Sequence, residues 1–165
     1  MQRRRVLVAG VAMALTGCGF TLRGAPELAF RSLYVNAVET SLFGNEIKRT
    51  LRSLDALTLI DDPAALSRAE AVLDILYEAR EKVVVGVNTS GQVREFQLRS
   101  RLRFRLRTPQ GKELLAPTEL VQQRDISFNE SAVLAKEAEE GLMFRAMQSD
   151  IVQQLIRRLA AVKSL

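Results

Sequence analysis

The chain of 165 residues has no histidine. That absence removes the commonest general base, every Ser-His-Asp or Cys-His constellation and the usual zinc sites. It has one cysteine, Cys18, so no disulfide within the chain can hold the fold together and packing must do so. Tryptophan is missing and aromatic residues make up only 5%, too few for a row of stacking platforms for bases. Glycine-rich phosphate loops, dinucleotide fingerprints and nucleophile elbows are also absent. Asp61 and Asp62 are adjacent carboxylates, but Pro63 follows them, so they read as turn chemistry and not as an acid/base pair. An enzyme is not expected, and neither a cofactor nor a metal site.

What is present begins with the surroundings of that cysteine. Arg3, Arg4 and Arg5 form a basic start, residues 6–15 are apolar, and Thr16-Gly17 precede Cys18. This is the layout of an export signal, and the apolar stretch is well short of the ~20 residues that span a bilayer. Leu15-Thr16-Gly17-Cys18 resembles the bacterial lipobox, in which the thiol is diacylated and the chain is cut before the cysteine. Residues 1–17 are therefore expected to be a signal peptide, 18–30 a lipid anchor and tether attached at Cys18, and 31–165 a single domain. Several acyl chains would anchor firmly, at ~0.8 kcal/mol per buried methylene. Gly19, where an aspartate would mark inner-membrane retention, points to the periplasmic face of the outer membrane. The net charge of +5 falls to +2 once Arg3, Arg4 and Arg5 leave, so nucleic acid is not an expected partner.

Hydrophobic periodicity supplies the elements. Residues 32–36 read as a strand, then a helix capped by Thr40 or Ser41 runs to about 54, with Leu42, Ile47, Leu51 and Leu54 on its apolar side. A short strand at 57–60 completes a β-α-β unit with parallel strands. A helical turn at 64–70 precedes a long strand at 71–87, where Leu73, Ile75 and Tyr77 alternate with Asp74 and Glu78. Asn88-Thr89-Ser90-Gly91 marks a hairpin to a return strand at 93–107. A second turn, Thr108 to Lys112, leads to a strand at 113–124 in which Pro117 predicts an edge or a bulge. Asn129 or Ser131 caps a helix at 132–161, with Leu134, Phe144, Ile151, Val152, Leu155, Ile156 and Leu159 on one arc. The expected fold is α/β: a two-layer sandwich, two helices on one face of a mixed, mostly antiparallel sheet of four to five strands.

The return strand has the clearest pattern. Phe96, Leu98, Leu102, Phe104 and Leu106 are apolar, while Arg99, Arg101, Arg103, Arg105 and Arg107 alternate with them. At a period of two, all five arginines leave one sheet face over roughly 26 Å. Asp74, Glu78, Glu113 and Glu119 on neighbouring strands could neutralise them. An anionic ligand with several phosphates or carboxylates would suit the arginine forks equally well, and the pattern leaves both readings open.

Cys18-Gly19-Phe20-Thr21-Leu22-Arg23 resembles the opening of the LPS-assembly lipoprotein LptE family. Gly91-Gln92-Val93-Arg94-Glu95-Phe96, Leu134-Ala135-Lys136-Glu137 and Gln154-Leu155-Ile156-Arg157-Arg158-Leu159 fit it as well. The resemblance implies a sandwich held in the lumen of the outer-membrane β-barrel LptD as its plug and assembly partner, binding lipopolysaccharide during insertion into the outer leaflet. It also implies that Lys136, in the L-A-K stretch, contacts the glycolipid. Thr89 and Ser90 stand where relatives carry a basic residue before the hairpin glycine, which makes Arg94 the nearest substitute. The expected ligand-binding residues are Lys136, Arg94, Arg99, Arg101, Arg103 and Arg105. The alternative is a purely structural chaperone of the barrel that binds no glycolipid.

Overall fold

The computed structural model describes residues 27–54 and 57–165; the expected signal peptide, Cys18 and most of the expected tether fall outside that range. The elements run β1 (Ser32–Asn36), α1 (Leu42–Arg52), β2 (Thr58–Ile60), a 3-10 turn (Pro63–Arg68), β3 (Ala71–Val87), β4 (Val93–Arg107), β5 (Glu113–Ser127), a second 3-10 turn (Glu130–Ala132) and α2 (Val133–Ala160). The strands form one sheet in the order β2-β1-β3-β4-β5. β1 is parallel to both β2 and β3, and the rest is antiparallel. Both helices cover one face, so this is the two-layer sandwich that periodicity predicts.

Local chemistry explains most boundaries. Ser41 is extended and its Oγ accepts the Gly44 N–H at 2.7 Å, which starts α1. The same hydroxyl donates to Glu78 Oε2 at 2.7 Å, tying the helix start to β3. Phe43, Ile47 and Leu51 carry the buried side of α1, whereas Leu42 is 51% exposed. Asp62 Oδ1 accepts the Ala64 N–H at 2.9 Å and Asp61 pairs with Arg52, so the adjacent carboxylates are indeed turn chemistry. Asn88 Oδ1 accepts the N–H groups of Ser90 and Gln92, and Gly91 supplies the positive φ of +81° that closes the hairpin.

Pro117 satisfies both of its expectations. β5 is the outermost strand, and its register with β4 slips between Thr118, opposite Phe104, and Leu115, opposite Leu106. β3 carries a second irregularity that the alternation of Leu73, Ile75 and Tyr77 does not anticipate. Ile75 pairs with Phe104 and Tyr77 with Arg103, leaving Leu76 as an extra residue. Such a bulge reverses the parity of the residues beyond it, here from Tyr77 to Val84, where the register shifts again. Tyr77 therefore joins the face of Asp74, and Glu78 turns to the helix side.

The main core lies between the two helices and the sheet, with Leu33, Val35, Phe43, Ile47, Leu73, Phe104, Ile151 and Leu155 among its members. A smaller cluster of Leu98, Ile126, Phe144 and Met147 fills the far half. Leu134 corrects the expected arc of α2: it is 83% exposed and belongs to neither cluster. It shares its helical angle with the buried Val152, five turns further on, but lies in the first turn, and full burial on this helix begins only at Phe144. Asn129 caps the preceding 3-10 turn, not α2 itself. Gln148 ties the layers together, its Nε2 donating to Leu42 O at 3.0 Å and to Glu46 Oε2 at 2.5 Å while its Oε1 accepts from Arg80.

Gly44 is buried where α1 meets the segment after β1: a Cβ there would stand 2.6 Å from Ala37 Cβ and 2.9 Å from Ser41 Oγ. A glycine inside a helix usually gains ~1 kcal/mol on replacement by alanine. Here overpacking against a backbone-borne methyl and the cap should reverse the sign, and Gly44→Ala is expected to cost about 1–3 kcal/mol in thermal unfolding. A raised melting midpoint would contradict the packing described.

Candidate functional site: an arginine face and a lysine pocket

Leu98, Ser100, Leu102, Phe104 and Leu106 of β4 are all buried on the helix side. Their arginine neighbours therefore project from the opposite face, which no helix of the described residues covers. In register, Glu81 lies opposite Arg99, Glu119 opposite Arg103 and Asp74 opposite Arg105. The side chains do not pair that way. Glu119 Oε1 lies 2.8 Å from Arg101 Nη2, and Glu81 Oε1 lies 3.5 Å from Arg101 Nη1. One arginine thus takes a carboxylate from each flanking strand. The hydrogen bond and charge of Glu119 come first in holding the Arg101 guanidinium's proton more tightly than usual. Among the described residues Arg99 has only an amide partner, its Nε donating to Gln97 Oε1 at 2.7 Å. Arg103 has no ion-pair or hydrogen-bond partner among the described residues, and it lines a shallow depression of about 520 Å³ with Tyr77, Arg101, Pro117 and Glu119.

At the other end of the row, Asp74 collects two arginines. Arg105 Nε and Arg107 Nε each lie 2.8 Å from its Oδ2, and Asn36 Nδ2 donates to its Oδ1 at 2.8 Å. Asp74 is only 3% exposed. Burial pushes its pKa up, but hydrogen bonds from Arg107, Asn36 and Arg105, together with the charge of Arg107, outweigh burial and hold it below the ordinary carboxylate value.

Lys136 projects from α2, on the opposite side of the sheet from the arginine row. Its Nζ donates to Ser127 Oγ at 3.1 Å and to Glu139 Oε2 at 2.8 Å. It lines a pocket of about 240 Å³ with Lys82 and the apolar side chains of Phe96, Ile126, Phe128 and Val133. Lys82 Nζ lies 2.6 Å from Glu140 Oε2 and 4.4 Å from the centre of the Phe96 ring, which meets Phe128 edge-on at 5.3 Å. Val83, Val84, Val85 and Val87 are exposed on the adjoining hairpin, as is Leu134 at the start of α2. Arg94 is exposed at this same end, and its carbonyl accepts the Phe128 N–H at 2.8 Å. The rim of this apolar cavity thus carries two ammonium groups beside Glu137 and Glu140, an arrangement that suits an amphiphile whose anionic head takes over the lysines from their carboxylates.

The expected ligand residues therefore do not form one surface. Lys136 and Arg94 share the hairpin end, while Arg99, Arg101, Arg103 and Arg105 occupy the open face. Of the four acids expected beside the row, Asp74 and Glu119 engage it. The bulge sends Glu78 to Ser41, and Glu113, though in register with Arg107, leaves it to Asp74. Sequence reasoning missed Lys82, Tyr77 and Glu81. The shifted parity of β3 is what places each of them, and nothing short of the register shows it.

Residues 30–159 match the family described as "LptE: Lipopolysaccharide-assembly". The chain is 28% identical over 160 residues to the LPS-assembly lipoprotein LptE of Pectobacterium atrosepticum, covering 94% of this chain and 84% of that one. It is 30% identical over 162 residues to the protein of that name from Yersinia enterocolitica, covering 95% and 75%. Its fold overlays the solution structure of an uncharacterized lipoprotein B from Nitrosomonas europaea with a TM-score of 0.74 at 33% identity, over 87% of this chain and 91% of that one.

The depressed pKa of Asp74 has a signed consequence. Its stabilisation is fully present above the unfolded carboxylate value of ~3.9 and is lost as pH falls through the folded value. Asp74→Asn should therefore cost about 1–3 kcal/mol at neutral pH, Arg105 being partly solvated, and should flatten the acid limb of the stability profile. Denaturant unfolding from pH 3 to 7 checks it; parallel profiles for the two proteins would contradict the assignment.

Proposed function

Because the chain belongs to the LptE family and so acts in lipopolysaccharide assembly, we propose that it is an outer-membrane lipoprotein which serves as plug and assembly partner of the LptD β-barrel and binds lipopolysaccharide during its insertion into the outer leaflet. Its acylated Cys18 would hold the domain at the periplasmic face, residues 1–17 having been removed and 18–30 acting as tether. The proposal includes no enzymatic step and no cofactor. Glycolipid binding is carried by one observation, the pocket in which Lys82 and Lys136 stand over an apolar floor.

The chemistry is electrostatic. Phosphates of neighbouring lipopolysaccharide molecules are bridged by divalent cations, and an ammonium offered beside an apolar surface can replace such a bridge and separate one molecule from its aggregate. Lys136 and Lys82 are held ready by Glu139 and Glu140, and Arg94 stands at the same end of the molecule. The open-face arginines suit this task less well: Arg101 and Arg103 border a shallow, more polar depression in place of an apolar floor, and Arg101, Arg105 and Arg107 are engaged by carboxylates as the two lysines are. That internal neutralisation favours the second reading, in which the chain supports the barrel structurally and binds no glycolipid.

Direct binding separates the two. Lipopolysaccharide affinity of the purified protein should fall about tenfold or more in the Lys82→Glu, Lys136→Glu double variant, on the scale of a lost charge-assisted contact. Arg157→Glu with Arg158→Glu, exposed at the far end of α2, should bind like the unaltered chain. Equal affinity in both variants would reject the pocket, and no binding at all would leave the structural reading.

A further inference from the structure

We infer that Arg99 and Arg103 are the two docking points through which the open face seats against a second β-sheet, one that presents carboxylates four residues apart on a single strand. The inference rests on the reading that the chain works against a barrel wall, and it adds which surface meets that wall and what chemistry receives it.

The displacement of the acids carries it. Glu81 and Glu119 are the register neighbours of Arg99 and Arg103, yet both lean diagonally onto Arg101. Arg101 is thereby doubly neutralised, while the arginines on either side keep guanidinium groups without a carboxylate among the described residues. The two are four residues apart on one strand, so they stand ~13 Å apart on one face, the same span as residues i and i+4 of any facing strand. Sheets pack ~10 Å apart, a gap that an arginine and an opposing carboxylate bridge together. Tyr77, 47% exposed, and Val121, 48% exposed, share this face and offer apolar contact between the charged points.

A phosphorylated lipid fits the arrangement poorly. Its phosphate would have to settle between two cations that do not converge, beside an arginine whose two carboxylates repel it. A protein wall with separated acids meets each guanidinium on its own, and the planar fork of arginine is suited to a bidentate carboxylate partner.

The test uses the full chain co-expressed with the barrel and recovered from outer membranes through a tag on the barrel. Recovery of the Arg99→Glu, Arg103→Glu variant should fall about tenfold or more, the Arg99→Gln, Arg103→Gln variant should fall less, and Arg157→Glu with Arg158→Glu should be recovered fully. A benzophenone amino acid replacing Tyr77 should cross-link to the barrel, and one replacing Arg145 on α2 should not. Full recovery of the charge-reversed pair, or a Tyr77 probe that marks lipopolysaccharide in place of the barrel, would overturn the inference while leaving the barrel partnership intact. Failure of the unaltered chain to accompany the barrel would overturn the partnership itself. Should the glutamate pair fail to fold, the glutamine pair and the Tyr77 probe decide.

Discussion

A single extra residue in β3 decides what each face of the sheet holds. With Leu76 bulged out, Asp74 lies on the arginine face while Glu78, Arg80 and Lys82 turn to the helices, and Tyr77, Ala79 and Glu81 take the open side. An unbroken alternation from Asp74 would instead aim Arg80 and Lys82 at the arginine row and push Glu81 beneath α2. Like charges facing across a sheet repel, and a carboxylate buried without a partner costs several kcal/mol. The bulge removes both problems at once, which is why the cap on α1, the tie through Gln148 and the lysine pocket all depend on it.

The electrostatics of the open face follow from that arrangement. Exposed ion pairs contribute ~0–1 kcal/mol each, so the pairs around Arg101 do little for stability. Their effect is on direction: two acids drawn to one arginine leave its neighbours uncompensated. Asp74 is different, because it is almost wholly buried and satisfied from three sides by Arg105, Arg107 and Asn36. One end of the row is thus fixed to the fold and the other is open to solvent, so five identical side chains at equal spacing are not equivalent.

Much of this is legible in the sequence because local rules and burial agree there. The period-two pattern of β4, the Ser41 cap, the Asn88 and Gly111 turns and the edge position of Pro117 all follow from residue chemistry at or near the site. The bulge does not, since neither glycine nor proline marks Ile75-Leu76-Tyr77 and every residue in the run suits a strand. The stretch from Tyr77 to Val84 inherits the error, including the face of Glu78 and the part played by Lys82. Leu134 fails for another reason: a helical wheel knows angles but not where the sheet beneath has ended. Lys136 illustrates a third limit, for the resemblance picked out the residue while only the structure shows Lys82 beside it.

β4 divides the molecule, with even positions sealed under the helices and odd positions held outward, on the proposed reading against a partner wall. Single cysteines introduced at Arg99, Ser100, Arg101, Leu102 and Arg103 test it most directly when their reaction with a thiol reagent is timed in the free protein and in the barrel complex. The odd positions should react fast in the free protein and become protected in the complex, and the even positions should stay inert in both. Odd positions that react equally fast with and without the barrel would contradict it.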